Sequence, residues 1–559
     1  MTTQRPISRS RRRAVRSPIT LVFAGAVVAV TGTLAATAGS TSRPLTVTSR
    51  AAFALHVQQT VGRLMTGPAQ AALAMTATGT RDWSPGGATP APGTAPSAAQ
   101  APATVRETKA AGRGLANVRV NDPGEDRHFV DQTTQSEPTI AVAGQNVVVG
   151  YNDSQTSLPG VFTAGLDLTG YSYSTDGGET FTDGGELPNK PGFNNLGDPW
   201  VGAGRGGDIY FSNLIRDDET GNVDVGVAKS TDGGKTFSTP TIVSPHERNY
   251  FGDKPALAVG PNATRRPRDT IYVTWDDVFV DRESNQFSGL PVARSMDGGH
   301  SWHVAYAEQT PTDPDSCSYT QYIGATPAVD PNGLLYVVAE KASVDDPDCT
   351  GESPFVLSEA IFKSTDGGKT FAAGREISAI HGVENLRLGH GRVMRTGEFP
   401  AIAIDRKGTV FVAWNDSRSL GHSDIRLATS TDGGSTWNVA WATGGRLDHL
   451  QPALSADGDG VHVLYYQRNR GNTLDVLVAD SKNGRAPFAV TRVTSRSFPG
   501  VFTVPQFDPV MGDAYMGDHI ASVSDGRHQY FAWGDNRDRV MNVLWPKGRH
   551  DPNVYLAKR

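Results

Sequence analysis

One octapeptide recurs five times along this 559-residue chain, and it limits the possible folds more than any other feature of the sequence. The copies read STDGGETF, STDGGKTF, SMDGGHSW, STDGGKTF and STDGGSTW, with their aspartates at Asp176, Asp232, Asp297, Asp366 and Asp432. A sixth, divergent copy, SKNGRAPF, has Asn483 in place of the aspartate. Successive copies are 56, 65, 69, 66 and 51 residues apart. Such a period predicts one four-stranded unit per repeat.

The octapeptide has the chemistry of a structural turn. An aspartate carboxylate can accept backbone N–H bonds within its own loop, and consecutive glycines permit positive φ angles. Each copy follows a short apolar strand and ends in Phe or Trp, which predicts a hairpin tip whose ring packs into the body. Because the same residues recur in every copy, we interpret these aspartates as structural and not catalytic.

A second repeat pairs an apolar strand, usually opened by a proline, with an aromatic-rich strand. Its seven copies begin at Glu137, Asp198, Lys254, Thr326, Phe399, Gln451 and Asp518. Apolar and polar residues alternate with period 2, which indicates strands and not helices. The sequence therefore predicts an all-β fold.

The two ends of the repeat region predict how the fold is completed. The C-terminal segment VYLAK, at 554–558, is typical of the third strand of a seventh unit, and the chain then stops. The segment LANVRV, at 115–120, is the obvious fourth strand. Pairing the two ends would close a ring and remove exposed sheet edges. We predict a seven-bladed β-propeller over residues 113–559, with a six-bladed ring as the alternative.

The first 112 residues predict export and a tether. Six arginines precede the apolar run 19–38, which ends in a small-x-small pattern typical of a cleaved signal peptide. Residues 1–38 are therefore interpreted as a signal peptide, and an uncleaved membrane anchor at the cell surface is the alternative. Residues 39–112 are interpreted as a flexible segment, because most of this stretch is rich in Ala, Pro, Thr and Gly.

Charge and composition exclude several functional classes. The formal charge is −6, and the six N-terminal arginines contribute +6, so the remainder carries −12. Such a protein lacks the broad positive field that nucleic acids or anionic membranes require. No dinucleotide, P-loop, zinc-protease or serine-hydrolase motif has the required context. We expect a secreted monomer without cofactor or metal.

The octapeptide resembles the Asp-box, or bacterial neuraminidase repeat, and residues 137–559 resemble the sialidase superfamily of secreted β-propellers. The resemblance implies an arginine triad that grips a substrate carboxylate, a tyrosine nucleophile assisted by a glutamate, and an aspartate acid/base. The chain departs from the family at Ser136-Glu137-Pro138, where sialidases carry Arg-Ile-Pro. The first arginine of the triad is therefore missing.

Propeller geometry predicts a site where first strands begin and second strands end, on the face opposite the Asp-boxes. Arg418, Arg468 and Arg537 follow three consecutive second strands and are the predicted substrate-binding cluster. The neighbouring Asp416 and Asp535 are candidate catalytic carboxylates. The alternative is that each arginine pairs with an acid within its own loop.

Two further predictions concern loops on the same face. Tyrosines precede three of the first strands, and this repetition favours a packing role over a catalytic one. If one of them is the nucleophile, Tyr515, beside Asp518, is the preferred candidate. Cys317 and Cys349 flank the first two strands of unit four. A disulfide between them is geometrically reasonable and is favoured by export.

The sequence thus predicts a secreted, sialidase-like glycoside hydrolase acting on extracellular glycans or glycoproteins. A non-catalytic Asp-box propeller that binds glycan or protein is the alternative, and the missing Arg-Ile-Pro favours it. A lyase or a neutral-sugar hydrolase would instead need paired acids without an arginine cluster.

Overall fold

A computed structural model gives the fold of residues 114–124, 134–154, 167–245, 249–262, 269–280, 286–312, 318–347, 353–383, 386–389, 392–394, 396–419, 421–471, 473–500, 517–541 and 546–559. These residues belong to one compact unit, Leu45–Arg559. The predicted signal peptide and flexible segment lie outside the described residues. Every regular element within the described ranges is a strand, which confirms the all-β class.

The first eighteen strands extend through four repeats. They are β1 (Asn117–Arg119), β2 (Gln135–Ala143), β3 (Asn146–Asp153), β4 (Thr169–Ser174), β5 (Thr182–Glu186), β6 (Phe193–Asn195), β7 (Trp200–Ala203), β8 (Ile209–Asp217), β9 (Val223–Ser230), β10 (Thr241–Ile242), β11 (Asn249–Pro261), β12 (Asp269–Val280), β13 (Gln286–Ser295), β14 (His303–Thr312), β15 (Tyr319–Val329), β16 (Leu335–Val344), β17 (Val356–Ser364) and β18 (Arg375–Ile380).

The remaining strands complete the chain. They are β19 (Leu386–Gly389), β20 (Arg392–Met394), β21 (Ala401–Ile404), β22 (Val410–Ser419), β23 (His422–Ser430), β24 (Asn438–Trp441), β25 (Asp448–Ala456), β26 (Val461–Arg468), β27 (Thr473–Ser481), β28 (Ala489–Arg492), β29 (Phe498–Pro499), β30 (Ala521–Ser524), β31 (Gln529–Val540) and β32 (Arg549–Lys558).

Twenty-eight of these thirty-two strands form seven antiparallel four-stranded units, and β6, β19, β20 and β29 lie outside them. Units one to six are β2–β5, β7–β10, β11–β14, β15–β18, β21–β24 and β25–β28, and unit seven is β30–β31–β32–β1. A parallel bridge between β9 and β11 joins units two and three into one sheet, and no described sheet closes on itself. The predicted pairing of the two chain ends is present, with Asn117 opposite Ala557 and Arg119 opposite Tyr555.

Each unit packs against the next one. The first strands contact one another in the cycle β2, β7, β11, β15, β21, β25, β30 and back to β2. Seven hydrophobic cores lie between consecutive units, and one of them joins unit seven to unit one through Leu556, Tyr530 and Val149. Each sheet therefore buries apolar side chains on both faces, as the runs of Val, Ile and aromatic residues require.

The five octapeptides form hydrogen-bonded turns between the third and fourth strands of units one to five. In unit four, Asp366 accepts hydrogen bonds from the Ser364 hydroxyl, from the backbone N–H groups of Lys369 and Thr370, and from the Thr370 hydroxyl. The equivalent bonds lower the pKa of Asp176, Asp297 and Asp432. Each of the five aspartates therefore accepts at least one backbone hydrogen bond within its own turn.

The turns also connect neighbouring units. A cation at the third-strand position of one unit donates to a glycine carbonyl in the octapeptide of the next, as Lys229 does to Gly298 O at 3.2 Å and Lys363 to Gly433 O at 3.3 Å. Lys558 of unit seven makes the equivalent bond to Gly177 O of unit one at 3.0 Å. The contact between the last and first units thus repeats those between consecutive units.

Candidate functional site

The first strands of all seven units line one central cavity of about 150 Å³. One residue from each unit occupies an equivalent place on its wall, directly before or within the first strand. We call these seven side chains the central set; they are Glu137, Asp198, Lys254, Thr326, Phe399, Gln451 and Asp518. The backbone repeats at this level while the side chains differ in charge, size and hydrogen-bonding capacity. Such variation on a repeated frame is what a binding site requires.

Backbone irregularities accompany the central set. Glu137, Asp198, Lys254 and Gln451 each precede a proline and have positive φ angles of 49–52°. The pairing register shifts next to Glu137, Lys254 and Gln451, between the first two strands of units one, three and six. A bulge changes the direction in which a side chain projects. Positive φ at non-glycine residues costs free energy and is concentrated at functional sites.

Lys254 reaches across the cavity. Its ammonium forms an ion pair with Asp518 of unit seven and lies 4.2 Å from the centre of the Phe399 ring of unit five. The exposed fractions of the two ion-paired side chains are 9% and 4%. One lysine of unit three therefore links two units that are not its neighbours in the cycle.

Glu137 holds the adjoining part of the wall in place. Its carboxylate accepts the backbone N–H of Asp518 at 2.7 Å and the amide of Asn152 at 2.9 Å, while Asn152 accepts the backbone N–H of Asp198 at 2.7 Å. Gly517 has a φ of 91°, and a Cβ there would lie 2.6 Å from Glu137 Cγ. Hydrogen bonds thus connect the central-set acids of units seven, one and two.

Gln451 Oε1 and His519 Nε2 belong to the cavity wall, and neither atom has a hydrogen-bond partner among the described residues. Gln451 uses its amide nitrogen on Gly517 O. Burial lowers the pKa of His519, so its imidazole is neutral near pH 7, and the ring lies 5.4 Å from that of Trp200. Unpartnered buried polar atoms beside a cavity indicate a place for water or ligand.

A cluster of carboxyl groups lies between units four and five. Glu359 is fully buried, faces Glu340 across the β16–β17 pair, and has no hydrogen-bond partner for either oxygen among the described residues. Burial raises the pKa of Glu359 well above its usual value, and Glu340, Glu398 and Asp416 raise it further. Glu359 therefore holds a proton at pH values where a solvent-exposed glutamate has lost it.

A second buried acid lies in unit three. Burial raises the pKa of Asp277 to about 7, although the hydroxyls of Tyr306 and Tyr250 donate to it at 2.8 and 2.9 Å. The neighbouring Asp276 accepts the backbone N–H of Gly324 in unit four, and burial raises its pKa as well. Both carboxyl groups are nearly inaccessible to solvent.

The predicted arginines each bind local partners. Arg418 lies 2.8 Å from Asp424 and stacks on Trp441, with 4.0 Å between its guanidinium carbon and the ring centre. Arg468 pairs with Asp448 at 2.5 Å. A chain through His422 links these two pairs, because its ring nitrogens lie 3.2 Å from Asp424 and 3.0 Å from Asp448.

Arg537 lies in a separate network. It pairs with Asp535 at 2.5 Å, donates to Asn117 Oδ1 at 3.0 Å and to Ser495 Oγ at 2.9 Å, and stacks on Tyr555. No partner of this arginine is shared with the other two among the contacts found. Arg537 thus pairs with an acid two residues away, whereas Arg468 pairs with Asp448 on the neighbouring strand, and the substrate-binding role of Arg418, Arg468 and Arg537 stays a prediction.

The candidate catalytic residues are dispersed. Asp416 belongs to the buried cluster, where the Arg426 guanidinium donates to it at 3.1 Å. Asp535 is the buried partner of Arg537, and Asp518 belongs to the central set. Tyr515, Cys317 and Cys349 lie outside the described residues, so the nucleophile and disulfide predictions stay predictions.

Lys254, Gln451 and His519 were missed as site residues, although the sequence carries a signal for the first two. Each is the variable residue directly before the proline of the repeated first strand. No group of three or more His, Cys, Asp or Glu side chains in the described ranges could hold a metal ion. No helix there is long and apolar enough to cross a membrane.

Comparison with known proteins gives structural likeness at low identity. No family model and no curated protein matches the chain. The phage phi92 endosialidase is 12% identical, with a TM-score of 0.42 over 80% of this chain and 69% of its own. The leech intramolecular trans-sialidase is 12% identical, with a TM-score of 0.38 over 70% of each chain. An α-L-arabinofuranosidase of Fusarium graminearum is 16% identical, with a TM-score of 0.37 over 63% of this chain and 93% of its own. At these values no residue role is transferred to this chain.

Proposed function

We propose that the described residues form a seven-bladed β-propeller closed by the pairing of β1 with β32. Seven four-stranded units, a complete cycle of contacts between first strands and seven cores between consecutive units support this architecture. The six-bladed alternative would require one unit to lack its own first strand or its own core. The central cavity then lies on the propeller axis.

We propose that the protein hydrolyses glycosidic bonds of extracellular glycans in this cavity. The observation that carries the proposal is the convergence of Asp518, Glu137 and Asp198, from three successive units, on one partly apolar cavity. In most glycoside hydrolases two carboxyl groups lie on either side of the bond that breaks. One donates a proton to the leaving oxygen, and the other takes a proton from the attacking water or attacks the anomeric carbon.

The contacts of the three acids suggest their roles. Glu137 is occupied by two neutral donors, and so it positions its neighbours. Asp518 is paired with the Lys254 ammonium, which favours the ionised form required of a base or a nucleophile. Asp198 lies on the other side of Glu137 and is the second carboxyl group of the pair.

Export belongs to the same proposal. Cleavage after residue 38 would release a monomer whose tether, 39–112, leads into the propeller, and retention of the apolar run would keep it at the cell surface. Mass spectrometry of the protein recovered from culture medium would identify its first residue.

The test of the hydrolase is release of free sugar from a panel of neutral, amino and sialylated glycosides. Asp518→Asn and Asp198→Asn are expected to lower the rate at least a hundredfold, because each removes one half of the carboxyl pair. Glu376→Gln, an exposed acid on β18, is the matched control and is expected to retain the full rate. Equal rates in all four proteins would refute the assignment.

A second candidate function is glycan binding without turnover. The observation that favours it is the pairing of Arg418, Arg468 and Arg537 with Asp424, Asp448 and Asp535, since those arginines would otherwise hold an acidic substrate. Saturable binding of a glycan that is never cleaved would support this function over hydrolysis.

A further inference from the structure

We propose that the central cavity selects an amino sugar, a hydroxylated ring that carries a primary ammonium, over a sugar that carries a carboxylate. The inference rests on the proposed function in one respect, that a glycan enters this cavity. It differs from what the Asp-box resemblance implies, and four features of the cavity and its surroundings support it.

The first feature is the charge of the wall. The described residues that line the cavity include three carboxylates and one ammonium, Lys254, while His519 is neutral. These groups are buried, so their field is weakly screened by solvent. A ligand carboxylate would add a fourth negative charge to the cavity. A ligand ammonium would instead reduce its excess of negative charge.

The second feature is that the cavity already holds an ammonium group. Lys254 Nζ is bound by a carboxylate, Asp518, and lies 4.2 Å from the centre of an aromatic face, Phe399. A carboxylate combined with an aromatic face is a recurring way of recognising organic cations. The wall thus has the chemistry to stabilise a second ammonium beside Glu137 and Asp198.

The third feature is an acceptor that lacks a donor. Gln451 is 3% exposed, its amide nitrogen donates to Gly517 O, and its Oε1 has no partner among the described residues. A buried acceptor gains most from a ligand N–H or O–H. The hydroxyl and ammonium groups of an amino sugar both supply such donors.

The fourth feature lies outside the cavity. Arg418, Arg468 and Arg537 are hydrogen-bonded or ion-paired to Asp424, Asp448 and Asp535, and each exposes less than a fifth of its side chain. An acidic sugar would have to displace a buried aspartate to use any one of them. These arginines therefore do not favour an anionic ligand.

The experiment measures binding and not turnover, so it is decided separately from the hydrolase proposal. Calorimetry with the full mature chain at pH 7 would compare glucosamine, glucose and N-acetylneuraminic acid. We expect glucosamine to bind at least fivefold more tightly than glucose, and N-acetylneuraminic acid to bind more weakly than either.

Asp198→Asn removes one charge without changing the shape of the side chain. Glu137→Gln also removes one charge, but it loses one of the two hydrogen bonds that Glu137 accepts. Each variant should reduce the preference for glucosamine over glucose at least threefold. Glu376→Gln is the control and should leave it unchanged. Tighter binding of N-acetylneuraminic acid, equal binding of the amino and neutral sugars, or binding of none of the three would overturn the inference. If either variant unfolds, the wild-type ranking of the three sugars decides. If the preference for glucosamine is retained but no glycoside is hydrolysed, the hydrolase proposal is refuted and the amino-sugar inference stands.

Discussion

Replacing Glu359 by Gln should make the protein more stable at pH 8 than the wild type, and the difference should grow with pH. The wild-type carboxyl group is fully buried opposite Glu340, with Glu398 and Asp416 nearby, and burial is the main reason that its pKa is raised. The folded protein therefore keeps a proton that the unfolded chain releases above pH 4–5. An amide of the same shape needs no proton.

The magnitude follows from proton linkage. Where the folded state binds one more proton than the unfolded state, each pH unit lowers the free energy of unfolding by about 1.4 kcal/mol. Between pH 6 and pH 8 the Glu359 proton thus costs the wild type up to about 2.8 kcal/mol, because burial raises the pKa of this group well above its usual value. The Glu359→Gln variant lacks this pH-dependent loss of stability, while its other titrating groups are unchanged.

The assay is urea unfolding of both proteins at pH 6, 7 and 8, followed by tryptophan fluorescence. Glu376→Gln, on β18 of the same unit and exposed, is the matched control and should run parallel to the wild type. Parallel curves for Glu359→Gln and the wild type would refute the reasoning, as would a variant that loses stability relative to the wild type as the pH rises.

Three further predictions concern the seven four-stranded units and the contacts between them. Deleting residues 549–559 removes β32, which lies between β31 and β1, so the truncated chain should lack a cooperative melting transition; calorimetry showing a wild-type transition would contradict this. Asp366→Ala removes four hydrogen bonds of one turn and should lower the free energy of unfolding by about 1–3 kcal/mol without changing sugar binding, and loss of binding would argue against a purely structural turn. Lys254→Met leaves Asp518 without its partner cation and should cost about 3–5 kcal/mol in urea unfolding, and an unchanged midpoint would show that the pair does not stabilise the folded state.

Much of the fold could be predicted because its determinants are local and repeated. The aspartate turn is specified by eight residues, and each strand by an alternation of period 2. The pairing of β1 with β32 was also predictable, since unit seven has three strands at the C-terminus and LANVRV precedes unit one. A single short strand does not identify its partner, but the repeat showed which strand unit seven lacks.

The candidate site was less predictable, for two physical reasons. Lys254 contacts Asp518, which is 264 residues away, and this contact depends on how far the side chain reaches across the cavity. The direction of a side chain also reverses with a one-residue change of register, so the bulges beside Glu137 and Gln451 control which residues face the cavity.

The contacts of the three predicted arginines could not be predicted from the sequence either. Their spacing placed Arg418, Arg468 and Arg537 at similar positions in three units, but spacing does not distinguish a cation that faces a ligand from one that faces a neighbouring acid. Asp424 and Asp535 lie only six and two residues from their arginines. Such short separations favour local pairs.

Turnover of a glycoside panel by the purified mature chain, with Asp518→Asn and Asp198→Asn beside it, tests the central claim most directly. We expect at least one glycoside to be hydrolysed, both substitutions to lower the rate at least a hundredfold, and Glu376→Gln to leave the rate unchanged. Hydrolysis that persists in both variants would contradict the assignment of the central cavity as the active site, and no hydrolysis of any glycoside would contradict the claim that the protein is a glycoside hydrolase.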